Sequence, residues 1–259
     1  MFKLIALALA LGSSHVSGVP ADVAPSDAWC GNHVVPESAV DAHRLMQEFD
    51  TSVGAVNNSL EAASVINVYF NIITSGDTGA VADSVLSDQI AQLNSDFSST
   101  YIQFRYNPST TTRTNQPDWF NNVTPDPYNA QQQAMKKSLR RGGAADLNVY
   151  TVGLPGGSGY ASFPFEYTSN PLNDGIVLNY GVLPGGNTIY NTGKILTHET
   201  GHWCGLLHTF QGGCDGQGDY VSDTAPEASA ASGCPQGRDT CTGGGPDPIN
   251  NHMDYSDDE

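Results

Sequence analysis

The stretch His198 to His208 reads HETGHWCGLLH, and its reading decides what the rest of the chain has to build. The residues entering it, NTGKILT from Asn191, contain no proline. Ile195 and Leu196 precede Trp203 and Leu206 at spacings that predict a helix. On that helix His198 and His202 lie one turn apart on the same face, the spacing at which two imidazoles reach one ion. Glu199 is rotated by about 100° from the first of them, where its carboxylate can hold a water beside the metal without ligating it.

His208 does not fit a continued helix, because six residues past His202 it would lie about 240° off that face. Gly205 resolves the conflict: glycine takes the left-handed conformation that ends a helix and turns the chain sharply. His208 then returns as a third nitrogen ligand. A fourth position stays open to water, the arrangement of a catalytic rather than a structural zinc. The alternative is a buried helix with incidental histidines, and it leaves both Gly205 and His208 unexplained.

Upstream, SVINVYFNIITS from Ser64 to Ser75 is β-branched and aromatic and predicts the first core strand. Val85, Leu86, Ile90, Leu93 and Phe97 form a helical stripe, and residues 101–106 alternate as a second strand. A helix over residues 129–141 leads through Gly142 and Gly143 into a third strand, DLNVYTVGL. GIVLNYGVL, residues 175–183, reads as another. This order predicts an α+β domain with a mostly parallel sheet. From Gln211 onward Gly, Asp, Pro, Ser and Cys dominate, so that tail needs disulfides or metals to hold it.

The chain opens with MFKLIALALALGSSHVSG, one lysine followed by a short apolar run, the layout of a secretory signal peptide over residues 1–18. Residues 19–60 are expected to form an N-terminal segment or propeptide, carrying a weak amphipathic helix around residues 37–49, and residues 61–259 the main domain. No other run is apolar enough to span a bilayer. The net charge of −17 argues against nucleic acid and anionic membrane surfaces as partners. Lys136, Lys137, Arg140 and Arg141 are expected to complement a helix dipole rather than form a binding patch. Five cysteines in an exported chain permit disulfides and leave at least one over. Asn57-Asn58-Ser59 and Asn122-Val123-Thr124 are glycosylation sequons.

HETGHWCGLLH matches H-E-x-x-H-x-x-G-x-x-H, the metzincin signature, which carries a downstream Met-turn; NNHMDYSDD around Met253 supplies one. With GHWxGLxHTFQGGC, GDYVSDTA and MDYSDD, the chain resembles the pappalysin family, especially its small secreted fungal members. The resemblance implies a two-part catalytic domain, with a twisted, mostly parallel sheet and helices above a cleft and an irregular, disulfide-clamped half below. It implies an extracellular, monomeric zinc endopeptidase acting on proteins. His198, His202 and His208 would ligate zinc, Glu199 would activate the zinc-bound water, Met253 would floor the site, and Tyr255 would stabilise the oxyanion. The same resemblance pairs Cys214 with Cys241. It also gives Cys234 a partner just beyond the MDYSDD stretch, so a chain ending at Glu259 is expected to be truncated.

Several readings stay open on sequence alone. Cys30 in AWCGNH is either a latency switch on the zinc or a disulfide partner of Cys204 or Cys234. His252, where the family has an aromatic residue, is expected to fill space rather than ligate, and Cys204 to be a buried apolar-like residue. Asp219, Asp223 and Thr224 are either calcium ligands or solvated loop residues. Asp257 and Asp258 would favour Arg or Lys after the scissile bond. The rival reading of the whole is an inactive secreted protein with a structural zinc.

Overall fold

The computed structural model describes Cys30, residues 40–44 and residues 64–256. The first core strand, β1 (Ser64–Thr74), has Val68, Phe70 and Ile72 buried on one face and Ile73 on the other. It is covered on both sides, so its sequence reads as a continuous apolar run rather than an alternation. Helix α1 (Asp83–Asp96) buries Leu86, Ile90 and Leu93 against that first face. The chain then returns through β2 (Ile102–Tyr106) and β3 (Thr112–Asn115), which pair in parallel with successive parts of β1.

Helices α2 (Pro117–Asn122) and α3 (Ala130–Leu139) cover the opposite face through Phe120 and Met135. Strand β4 (Leu147–Val152), buried along its whole length, pairs in parallel with β1. Strands β5 (Gly159–Ala161) and β6 (Ile176–Asn179) complete a sheet of order β2-β1-β4-β6-β5, with β3 beside β1. Every pairing is parallel except β5 with β6, so β5 is an antiparallel edge strand. Helix α4 (Lys194–Cys204) lies on the same face as α1 and packs Ile195, Leu196 and Trp203 into that core.

Two elements expected from sequence take a different form. GIVLNYGVL does not stay extended to Leu183: β6 stops at Asn179, and Tyr180–Val182 form a 3-10 turn. The Asn179 side chain causes this, since its oxygen accepts from Gly181 N and its amide donates to the Gly153 carbonyl. The basic residues at the end of α3 do more than complement a dipole. Lys136 is buried and donates to the Asn173 carbonyl at 2.7 Å, and Arg140 pairs with buried Asp174 at 3.2 Å. They tie α3 to the loop before β6. Of the N-terminal helix expected over residues 37–49, residues 40–44 are helical, and the rest lies outside the described residues.

Below α4 the chain from Thr209 to Ser256 contains no regular strand or helix. A disulfide between Cys214 and Cys241 and a charge network replace the missing ladder. Closing a loop of this length restrains the unfolded chain by about 3–4 kcal/mol. Arg238 is the centre of the network, donating to Glu227 at 2.8 Å and to Asp247 at 2.6 Å. It also donates to the Ser229 carbonyl. Burial lifts the Glu227 carboxyl to about 7, with nearby Asp254 and Asp247 adding to the rise. A folded-state value above the ordinary 4.5 means that the folded state holds this proton more tightly. The contribution of Glu227 to stability should therefore be full below about pH 4.5 and be lost as pH rises to about 7. Chemical denaturation across that range should show the decline in the natural chain. Glu227→Gln should flatten it, and an unchanged slope in the variant would remove Glu227 as its source.

Candidate metal centre

Helix α4 places His198 and His202 on one face, as their spacing requires, and both are buried. The helix ends at Gly205, whose φ of 111° is left-handed, with Leu206 N donating back to the Gly201 carbonyl at 2.9 Å. That turn brings His208 back beneath the helix. The Nε2 atom of His202 lies 3.1 Å from Nε2 of His198 and 3.1 Å from Nε2 of His208. Three nitrogens bound tetrahedrally to one zinc would stand about 3.4 Å apart, so the observed spacing is close to that of a ligand set.

The outer nitrogens fix the tautomers. His198 Nδ1 lies 2.6 Å from the His252 carbonyl, and His202 Nδ1 lies 2.8 Å from the Leu206 carbonyl. A carbonyl only accepts, so each Nδ1 carries the proton and each Nε2 presents a lone pair inward. Burial, reinforced by neighbouring His202, pushes His198 well below the usual histidine range, and burial pushes His202 down to about 4. Both rings are thus neutral at ordinary pH, the state in which imidazole binds metal. Unscreened lone pairs converging in a buried space repel one another unless a cation stands among them, so the donor set fits zinc.

Glu199 is fully buried beside this cluster, and among the described residues only the Cys30 thiol is placed to hydrogen-bond its carboxyl group. Burial raises its carboxyl to about 8, with the Cys30 thiol acting in the opposite direction. The Tyr255 ring stands 4.9 Å from that of His208, and its phenol is raised by burial and by adjacent Cys30 and Glu199. It therefore remains a proton donor. Met253 is buried under α4 against Gly201, where a Cβ would run into its sulfur. Gly201→Ala should cost about 1–3 kcal/mol by overpacking, although alanine is otherwise the better helix residue by about 1 kcal/mol. Thermal unfolding checks the sign; an unchanged or raised midpoint would show that Met253 yields freely.

Cys30 joins the cluster. Its Sγ lies 3.6 Å from His202 Nε2, and the ligand atoms of Cys30, His198, His202 and His208 all fall within 4.8 Å of one another. No other such group of His, Cys, Asp and Glu occurs among the described residues. The backbone of Cys30 also bridges Gly159 on β5 in parallel. Of the two sequence readings of Cys30, the disulfide is not formed: Cys214–Cys241 is the one disulfide among the described residues.

The other expected residues lie apart from the cluster or outside the description. The His252 ring points away, with Nε2 3.9 Å from Asp96, and only its carbonyl serves the site. Asp219 is buried and accepts from Val221 N, while Asp223 is exposed. Cys204 is half-buried against the core. Asp257 and Asp258 lie outside the described residues.

The sequence reading passed over two acids that hold α4 in place, half-buried Asp96 and buried Asp174. Asp96 on α1 accepts from Lys194 at 2.6 Å and from Thr197 at 2.6 Å. Asp174 accepts from Trp203 Nε1 at 3.0 Å while paired with Arg140. An acid at the end of a helix or in a loop carries no local signal of such a role. In the lower half Thr209, next to His208, donates to Glu227 at 2.5 Å and so links the third histidine to the Arg238 network.

With this geometry in view, the similarities to known proteins are specific. A family model described as Peptidase_M43, Pregnancy-associated plasma protein-A, matches residues 146–259. Extracellular metalloprotease 1 of Coccidioides posadasii is 43% identical over 235 residues, covering 88% of this chain and 81% of the relative. An extracellular metalloprotease of Verticillium alfalfae is 41% identical, covering 100% of this chain and 92% of the relative. Mature mirolysin of Tannerella forsythia, solved with a cleaved peptide, superposes with a TM-score of 0.61 at 25% identity, covering 76% of this chain and 85% of that one. A promirolysin mutant from the same organism shares the fold with a TM-score of 0.68 at 23% identity, covering 89% and 87%.

Proposed function

The chain belongs to the pappalysin family of metalloproteases, and from that premise we propose that it is a secreted zinc endopeptidase in which Glu199 is the general base. The observation that carries this reading is a fully buried carboxyl group, with no partner among the described residues but the Cys30 thiol, beside three converging imidazoles. A structural zinc site has no use for such a group, and burying it with so little compensation is costly.

His198, His202 and His208 would hold the ion. Zinc, when bound, supplies a Lewis acid that acidifies water and polarises a peptide carbonyl. Glu199 accepts the proton of the attacking water on a carboxyl oxygen and returns it to the leaving amine. Burial raises its carboxyl to about 8, and a cation nearby lowers it towards a working base. The Tyr255 phenol, kept protonated, donates to the developing oxyanion. The edge of β5 offers backbone groups to an extended peptide, in the way that Cys30 bridges Gly159.

Cys30 then serves as a latency switch, its thiolate taking the position that water needs. Cys30→Ala should raise the activity of the unprocessed chain to that of the processed enzyme, read as the rate of peptide cleavage before any processing. No change in that rate would make the contact incidental.

Hydrolysis of casein with and without phenanthroline tests the function itself. Activity should vanish on chelation and return with added zinc; activity that persists in the chelator would overturn the zinc mechanism.

A further inference from the structure

The sequon Asn122-Val123-Thr124 takes no part in the proteolytic site, and its setting is specific. Asn122 is the last residue of α2, and Val123 follows in an extended conformation, φ −71° and ψ 135°. Side chains alternate along extended backbone. Val123 is accordingly buried among Phe120, Met135 and Tyr160, while Asn122 and Thr124 are both exposed. The backbone is pinned on either side, with the Thr124 carbonyl accepting from Tyr160 Oη at 3.0 Å and the Asn122 carbonyl from Asn129 Nδ2 at 3.1 Å. The neighbouring Asn121 spends its amide on the Pro117 carbonyl. The side-chain amide of Asn122 makes no hydrogen bond among the described residues. The two side chains that define an acceptor thus point outward together, on a segment followed by exposed residues 125–128.

The geometry points to Asn122 as an occupied N-glycosylation site. The donor is an oligosaccharide carried on a lipid diphosphate, delivered by the transferase of the secretory pathway. The Asn122 Nδ2–C1 bond forms and the C1–O bond to the diphosphate breaks. The lipid diphosphate leaves with the electron pair, and one amide proton passes to a base of the transferase. A folded chain can carry the glycan here without rearrangement, because nothing packs over the acceptor. It can also carry it without loss of activity, because α2 lies on the sheet face opposite α4 and its histidines. The inference rests on the secreted reading of the chain but not on its proteolytic chemistry.

The test is peptide mapping of the full chain produced by a secreting yeast, after endoglycosidase H trimming, on protein from both medium and cells. The Asn122 peptide should carry a residual sugar in the secreted protein. Asn122→Gln and Thr124→Ala should each remove that sugar while leaving casein cleavage within about twofold of the unsubstituted chain, since neither side chain approaches the histidine cluster. An unmodified Asn122 peptide in secreted protein would overturn the assignment while leaving secretion intact. A chain confined to the cytosol would overturn both.

Discussion

Glu199→Gln should lower kcat by about 10²–10⁴-fold, the range that a positioned general base contributes, while the chain keeps its zinc. The amide nearly matches the carboxyl in shape, and its oxygen can still accept from the Cys30 thiol beside it. The three converging histidines, His198, His202 and His208, are untouched, so metal content and the thermal midpoint should stay close to those of the natural enzyme. The paired reading matters. A variant that loses both activity and zinc says only that the site was disturbed, and a variant that keeps both removes Glu199 from the reaction. Cleavage of a fluorogenic peptide together with zinc analysis of the same preparation separates these outcomes.

Arg238→Met should be the most destabilising exchange away from the core. It would leave Asp247 without its cation and Glu227 without its hydrogen-bond donor, both fully buried at their side chains. Removing one partner of a buried ion pair costs about 3–5 kcal/mol, a fall in Tm of about 10 °C for a domain of this size. The effect should reach the metal, because Thr209 couples His208 to Glu227. Zinc loss to a competing chelator should therefore be faster in the variant at a temperature where it is still folded. A Tm within about 2 °C of the natural chain would mean that the irregular half does not depend on this network.

The site was legible in sequence to the extent that its logic is local. The spacing of His198 and His202, the break at Gly205 and the return of His208 follow from helix geometry, and each stands in the structure where that geometry requires. The central strands were legible because burial on both faces gives long β-branched runs such as SVINVYFNIIT. Short elements were not. The three residues of β5 cannot show a period, and β3 and α2 are of four and six residues. The early end of β6 is set by one asparagine side chain rather than by any pattern. Contacts between distant segments were also hidden: the approach of Cys30 to His202 across 172 residues, and the anchoring of α4 by Asp96 and Asp174, depend on tertiary packing alone.

The central claim is that three imidazoles hold one zinc with a position left for water. Zinc X-ray absorption on the full chain and on Cys30→Ala tests it most directly. The account predicts one zinc per chain, with sulfur alongside three nitrogen donors at about 2.0–2.1 Å in the full chain. In the variant, oxygen should replace the sulfur. A fourth protein ligand persisting in Cys30→Ala, or zinc that survives replacement of His208, would contradict it and return the chain to the structural-zinc reading.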